Sequence, residues 1–271
     1  MFLARPLLLL CLLGLLLSPS AAQSQPEADV LVTNAPQALL GESIELQLDF
    51  SNVAADSQDV GYGPFVDVVL PINGADGNAG SETADGLTFV SADYIGAAIS
   101  ATQVTFPDDG RDTGCVEHPF AESDTATPLI VCGTPGDVLL VLPLPFGSYV
   151  PTQPASTIDL KLDVSALADL GVGLPVHHRA GFRFGADPLD NACCDPSLVS
   201  AASNDSTTWP STEVTPELLA VRKEYLGPEN ETSTGPNFPR QYRIVLDLAD
   251  GQSISDVDVI DDLPDSLAYL R

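Results

Sequence analysis

Across 271 residues, 38 Asp and Glu side chains face only 10 Lys and Arg, a formal net charge of -28. So acidic a chain excludes nucleic acid and anionic membrane surfaces as partners, because both are polyanions themselves. With 44% hydrophobic residues it is no disordered acidic tail, and its length allows one large domain or two smaller ones.

The N-terminus comes first. Arg5 is the only charge before an almost continuous apolar run from Leu7 to Leu17, and Ser20-Ala21-Ala22 supplies small residues for cleavage. This layout predicts a secretory signal peptide over residues 1–22, with the mature chain starting near Gln23. The run is too short for a bilayer core, which needs about 20 apolar residues, so no membrane insertion of the mature chain is expected. Cys11 lies inside the run behind Leu10, where a lipoprotein signal needs a small residue, so no lipid anchor is expected either.

Beyond the signal, apolar residues alternate with polar ones. Ile44, Leu46, Leu48 and Phe50 share one face, with Glu45, Gln47 and Asp49 on the other. The same period of two predicts strands over 156–164 and 240–248. Further strands are expected at Asp29–Thr33, Phe65–Leu70, Leu87–Ala92, Thr102–Phe106, Val138–Leu142, Ala180–Phe184, Leu218–Glu224 and Ser255–Ile260. Val164–Gly171 has the composition for a helical turn or two. Many short strands between Gly, Pro, Asn and Asp clusters predict an all-β fold, an immunoglobulin-like β-sandwich.

An internal repeat divides the chain. Ser43–Asn52 aligns with Gln241–Asp250, Val66–Pro71 with Val259–Pro264, Asp85–Val90 with Asp265–Leu270, and Ala28–Asn34 with Leu218–Glu224. Four blocks recurring in one order predict an elaborated sandwich over 23–205, a linker over 206–216 and an incomplete second repeat over 217–271. A half sandwich leaves an open sheet edge, so the chain is expected to be the N-terminal part of a longer protein.

These blocks resemble the bacterial surface repeat known as domain of unknown function 11. The likeness rests on Leu48–Asn52, Val66–Pro71 and Asp85–Ser91, then on Tyr242–Asp250 and Val259–Leu270. Two features depart from it: an insertion before Asp85 and the cysteine-bearing region from Thr105 to Pro196. The resemblance implies a tandem immunoglobulin-like module of an exported protein, structural or adhesive rather than catalytic, with other surface proteins or glycans as partners. A secreted carbohydrate- or protein-binding module, or the non-catalytic extension of a secreted enzyme, is the alternative.

Candidate chemistry is sparse. Without Cys11 there remain Cys115, Cys132, Cys193 and Cys194, an even number that favours disulfides in an exported chain. Cys115 with Cys132 is the simplest pair; adjacent Cys193 and Cys194 bridge each other only with strain, and crossed pairing stays open. A soft-metal site at Cys193-Cys194 is disfavoured, since zinc sites space their cysteines further apart. Asp187, Asp190, Asn191 and Asp195 share one Gly- and Pro-framed loop and could hold calcium, the one cofactor with a candidate site; turn chemistry accounts for the same residues. Weaker calcium candidates are Asp108, Asp109 and Asp112, and Asp258, Asp261, Asp262 and Asp265. The only histidines are His118, His177 and His178, and no Ser or Cys stands in a nucleophile motif, so no enzyme is expected. Lys223, one of two lysines, is an isopeptide candidate if it is buried beside an Asn or Asp.

Overall fold

A computed structural model describes residues 25–34, 36–75, 84–111, 113–124, 127–185, 195–227 and 240–263. The expected signal peptide therefore lies outside the described residues. The first strands are β1 (Ala28–Val32), β2 (Ala38–Leu39), β3 (Ser43–Asn52), β4 (Gly61–Leu70), β5 (Leu87–Tyr94) and β6 (Ala97–Ala98). Then come β7 (Thr102–Thr105), β8 (Gly114–Asp124), β9 (Thr127–Gly133), β10 (Val138–Pro143), β11 (Ser148–Tyr149) and β12 (Ser156–Val164). The last are β13 (Leu174–Phe184), β14 (Leu198–Val199), β15 (Ser211–Val214), β16 (Pro216–Glu217), β17 (Leu219–Gly227) and β18 (Gln241–Leu248). A single 3-10 turn, Ser206–Thr208, interrupts them.

Two antiparallel sheets make the sandwich, which is all-β and immunoglobulin-like. One runs β1-β3-β12-β5-β6; the other runs β14-β13-β4-β10-β7, with β11 on β4 and β15 on β13. The first sheet obeys its sequence pattern. Leu46, Leu48 and Phe50 of β3 and Ile158, Leu160 and Leu162 of β12 are fully buried, and the residues between them face outward. Opposite them lie Val66, Val68 and Leu70, Leu140 and Leu142, and Val176, Ala180 and Phe182 from the second sheet.

The second sheet is different. β4 is buried from Pro64 to Leu70 without alternation, and β10 from Val138 to Leu142. Its outer face is covered by a third layer, the β8–β9 hairpin and the segment after β14. Val69, Leu139 and Val141 pack there against Phe106, Val131 and Trp209 in a second core. Each such side chain gains roughly 1.5–3 kcal/mol on leaving water. Gly181 belongs to this layer: a Cβ there would stand 2.2 Å from the ring of Phe65, its partner across the ladder.

Three sequence expectations change. Residues 206–216 are no linker. Trp209 is 3% exposed in the second core, β15 pairs with β13, and β16 pairs in parallel with β2. Burying the Trp and covering the open edge of β13 outweigh the turn-rich composition that suggested a tether. Ser255–Ile260 forms no strand, and Ile260 is 83% exposed, because alternation without a neighbouring strand leaves backbone groups unpaired. Val164–Gly171 ends β12 and turns without forming a helix.

Cys115 and Cys132 face each other across the β8–β9 ladder and are disulfide-bonded. The bond closes a loop with a separation of 17 residues, worth roughly 3 kcal/mol in the chain-entropy model. Reduction is expected to lower unfolding stability by about that amount in a urea titration. The loss should reside in the hairpin, with earlier amide exchange in β8 and β9 than in β3 and β12.

Candidate functional site

The densest chemistry lies inside the second core. On β4 the outward positions are Phe65, Asp67 and Val69; on β13 they are His177, Arg179 and Gly181. Ladder register sets Arg179 opposite Asp67. The hairpin strand β8 then lays His118 over the pair. Arg179 Nε donates to Asp67 Oδ2 at 2.8 Å, and His118 Nε2 lies 2.8 Å from Asp67 Oδ1. All three side chains have no exposed surface.

Most remaining polar atoms of the cluster have a partner; buried Arg179 Nη2 has none among the described residues. His118 Nδ1 accepts from the backbone N–H groups of Phe120 and Ala121, at 3.0 and 2.7 Å. That puts the ring hydrogen on Nε2, which donates to Asp67. Arg179 Nη1 donates to Ala201 O, and its Cζ lies 4.1 Å from the Trp209 ring centre. Trp209 Nε1 donates to Ser203 O at 2.9 Å. Burial alone would raise the pKa of Asp67, but His118 and Arg179 outweigh it and hold the carboxyl below its ordinary range.

Such a cluster does no acid–base chemistry on a solute, because both carboxylate oxygens are taken and water does not reach them. What it does is hold the hairpin, the sheet and the 203–209 segment in one register. The sequence analysis named His118 only as one of three histidines and missed Asp67 and Arg179. Part of the signal was present: one charged residue, Asp67, in the middle of the apolar run Phe65–Leu70.

A second feature lies at the sandwich end beyond β4 and β9. Asp137 is 8% exposed, accepts from the backbone N–H groups of Ile72 and Asn73, and lines a cavity of about 70 Å³. Burial pushes its carboxyl up to about 7, against those two hydrogen bonds. His177 and Ser206 line the same cavity. As expected of neighbours on a strand, the two adjacent histidines part: His177 is half-buried outward, while His178 is 5% exposed. Burial lowers the pKa of His178.

The remaining sequence candidates are scattered. Asp187, Asp190, Asn191, Cys193 and Cys194 lie outside the described residues, as do Asp112 and Asp265; Asp195 is half-buried at the start of the next described stretch. Asp108 and Asp109 cap their own turn, accepting from the N–H groups of Gly110 and Arg111. Lys223 is exposed on β17, with Nζ 2.6 Å from Asp261 Oδ1 and 4.9 Å from the Tyr242 ring centre. It forms an ordinary ion pair in water and lacks the burial an isopeptide site needs. Among the described residues no three His, Cys, Asp or Glu side chains converge as a metal cluster. Among them, too, no helix is long and apolar enough to cross a membrane.

No family model and no curated protein matches the chain. Several solved structures align with it at low scores. AvmM, which catalyses macrocyclization in alchivemycin A biosynthesis, is 11% identical with a TM-score of 0.35, over 71% of this chain and 88% of that one. A 35 kDa C-terminal fragment of the major pilin GBS80 of Streptococcus agalactiae is 14% identical with a TM-score of 0.31, over 74% of this chain and 58% of that one. A cohesin module from a family 33 glycoside hydrolase of Clostridium perfringens is 7% identical with a TM-score of 0.32, over 72% of this chain and 98% of that one. Scores this low assign no activity.

Removing one member of the buried pair should be costly. Arg179→Leu leaves Asp67 facing a neutral partner in a water-free core, and is expected to cost about 3–5 kcal/mol by urea unfolding. Replacing both, Asp67→Leu with Arg179→Leu, should recover part of that loss, because the unpaired charge is then gone.

Asp137 sets a pH dependence. Its folded pKa is raised, so its stabilising share is complete below the unfolded value of 3.8 and is lost as pH climbs through about 7. In EDTA, Asp137→Asn should remove this slope, and its stability relative to the native chain should rise between those limits by on the order of 4 kcal/mol. Paired urea titrations at pH 4, 5.5 and 8 measure it; a constant difference would refute the assignment.

Proposed function

We propose that the chain is an exported, non-catalytic structural or adhesive module of the bacterial cell surface, built from tandem immunoglobulin-like repeats of the domain of unknown function 11 kind. One observation carries this reading. In the β1–β3 ladder, Val30, Leu31 and Val32 sit opposite Phe50, Asp49 and Leu48. In the β17–β18 ladder, Leu219, Ala220 and Val221 sit opposite Leu248, Asp247 and Leu246. The same opening ladder is thus built twice, with the first strand of the second copy shifted one residue from the sequence alignment.

The two copies differ in cover. β3 is enclosed by β12 and the facing sheet, whereas Val221 is 61% exposed and Tyr242, Ile244 and Leu246 about two-fifths exposed. An apolar ladder of this kind suits stacking against further sandwich strands in a stalk. The apolar leader over residues 1–22 supplies export, and the acidic surface supports solubility outside the cell. Buried ladders, a buried charge cluster and a disulfide-closed hairpin suit a part that bears load or presents a neighbour.

Two measurements test the reading. Protease added to intact producing cells should remove the protein, whose N-terminus should lie near Gln23; a protected protein that still begins at Met1 would sink the export reading. In single-molecule stretching, reducing the disulfide should lengthen the unfolded chain by roughly 6 nm, the reach of the 17 residues it encloses.

A further inference from the structure

The cavity beside Asp137 is built for a ligand that the surface-module reading does not require. Two of its lining groups are buried oxygens, Asp137 Oδ1 and Ser206 Oγ, and neither has a hydrogen-bond partner among the described residues. Ser206 is 1% exposed. Leaving a carboxylate oxygen and a hydroxyl unpaired in one small space is costly unless something fills it.

The size and donors of the space narrow what fits. A water needs about 10–15 Å³ of such space, so about 70 Å³ holds one ion with a few waters. Anions are excluded by Asp137, since no Lys or Arg lines the cavity among the described residues. A cation meets a single buried carboxylate on a chain of net charge -28.

His177 decides the class of cation. Its Nδ1 lies 3.2 Å from Trp209 O, a carbonyl that can only accept, so the ring hydrogen sits on Nδ1 and Nε2 keeps its lone pair. A backbone carbonyl behind one ring nitrogen is the support that metal-binding histidines carry. One imidazole, one carboxylate and a hydroxyl suit a borderline divalent ion of the zinc class. They fall well short of the six to eight oxygens that calcium takes.

We propose that this cavity binds one zinc-class divalent cation through Asp137 Oδ1 and His177 Nε2, with Ser206 Oγ and water completing the shell. The ion ties the turn after β4, the β9–β10 connection, β13 and the 3-10 turn together at one end of the sandwich. This site shares no residue with the Asp187–Asp195 candidates, and it does not depend on export or on the repeat.

The test uses the mature chain, stripped with EDTA and dialysed, with zinc chloride and calcium chloride titrated separately at pH 7.5. Zinc is expected to bind at one equivalent by calorimetry and to raise the melting temperature by several degrees, while calcium has no comparable effect at this site. Asp137→Asn preserves shape and removes the charge, so it should fold in EDTA yet lose at least about tenfold in zinc affinity, and His177→Gln should do the same. Equal zinc binding in both variants would place the ion elsewhere, at surface carboxylates or cysteines, and overturn the proposal. So would an equal response to calcium, or no response to zinc, which would leave the cavity to water alone.

Discussion

The architecture depends on a sheet that must be dry on both faces. β4, β10 and β13 form the middle of the sandwich, with an apolar layer on either side. Their backbone groups are satisfied by the ladders, so the energetic question is what covers the outer face. The β8–β9 hairpin and the segment around Trp209 answer it. This third layer is why a region of ordinary turn composition is packed as firmly as a strand.

Placing charges in that outer core is costly, and the geometry shows how the cost is offset. Asp67 receives one charged and one neutral hydrogen bond, Arg179 is sandwiched between the sheet and the Trp209 ring, and His118 spends its second nitrogen on the turn of its own strand. An apolar trio of similar volume would bury more cheaply. What it would not do is distinguish one register of the hairpin from another, since apolar surfaces slide where directed hydrogen bonds do not. The disulfide acts on the same hairpin by a different route, limiting its unfolded conformations. Cys132 N also donates to Asn204 O at 2.7 Å, which joins the hairpin to the 203–209 segment through the backbone.

Sequence legibility followed this layering. Where a strand has one wet face, as in β3, β12 and β1, the alternation was readable and the assignments fell within a residue or two. Where both faces are dry, the strand itself was readable as an apolar run, but not which residue faces which core. The hairpin strands β8 and β9 went unread, because polar and apolar residues mix there without a clean period: β8 lies over the sheet at one end and runs into solvent at the other. Ser255–Ile260 shows the converse, alternation with no neighbour to pair with.

Composition and pattern by themselves determined the all-β class, the strongly acidic balance, the leader-like N-terminus and the repeated opening ladder. Each of these depends on local order along the chain or on a sum over it. Tertiary structure alone decided that Asp67, Arg179 and His118 form one cluster, that Trp209 belongs to a core, and that Asp137, His177 and Ser206 share a cavity. Those groups are separated by tens of residues, 51 between Asp67 and His118 and 112 between Asp67 and Arg179. Only the strand order and the hairpin's fold onto the outer face bring them together, and no short-range pattern encodes that order.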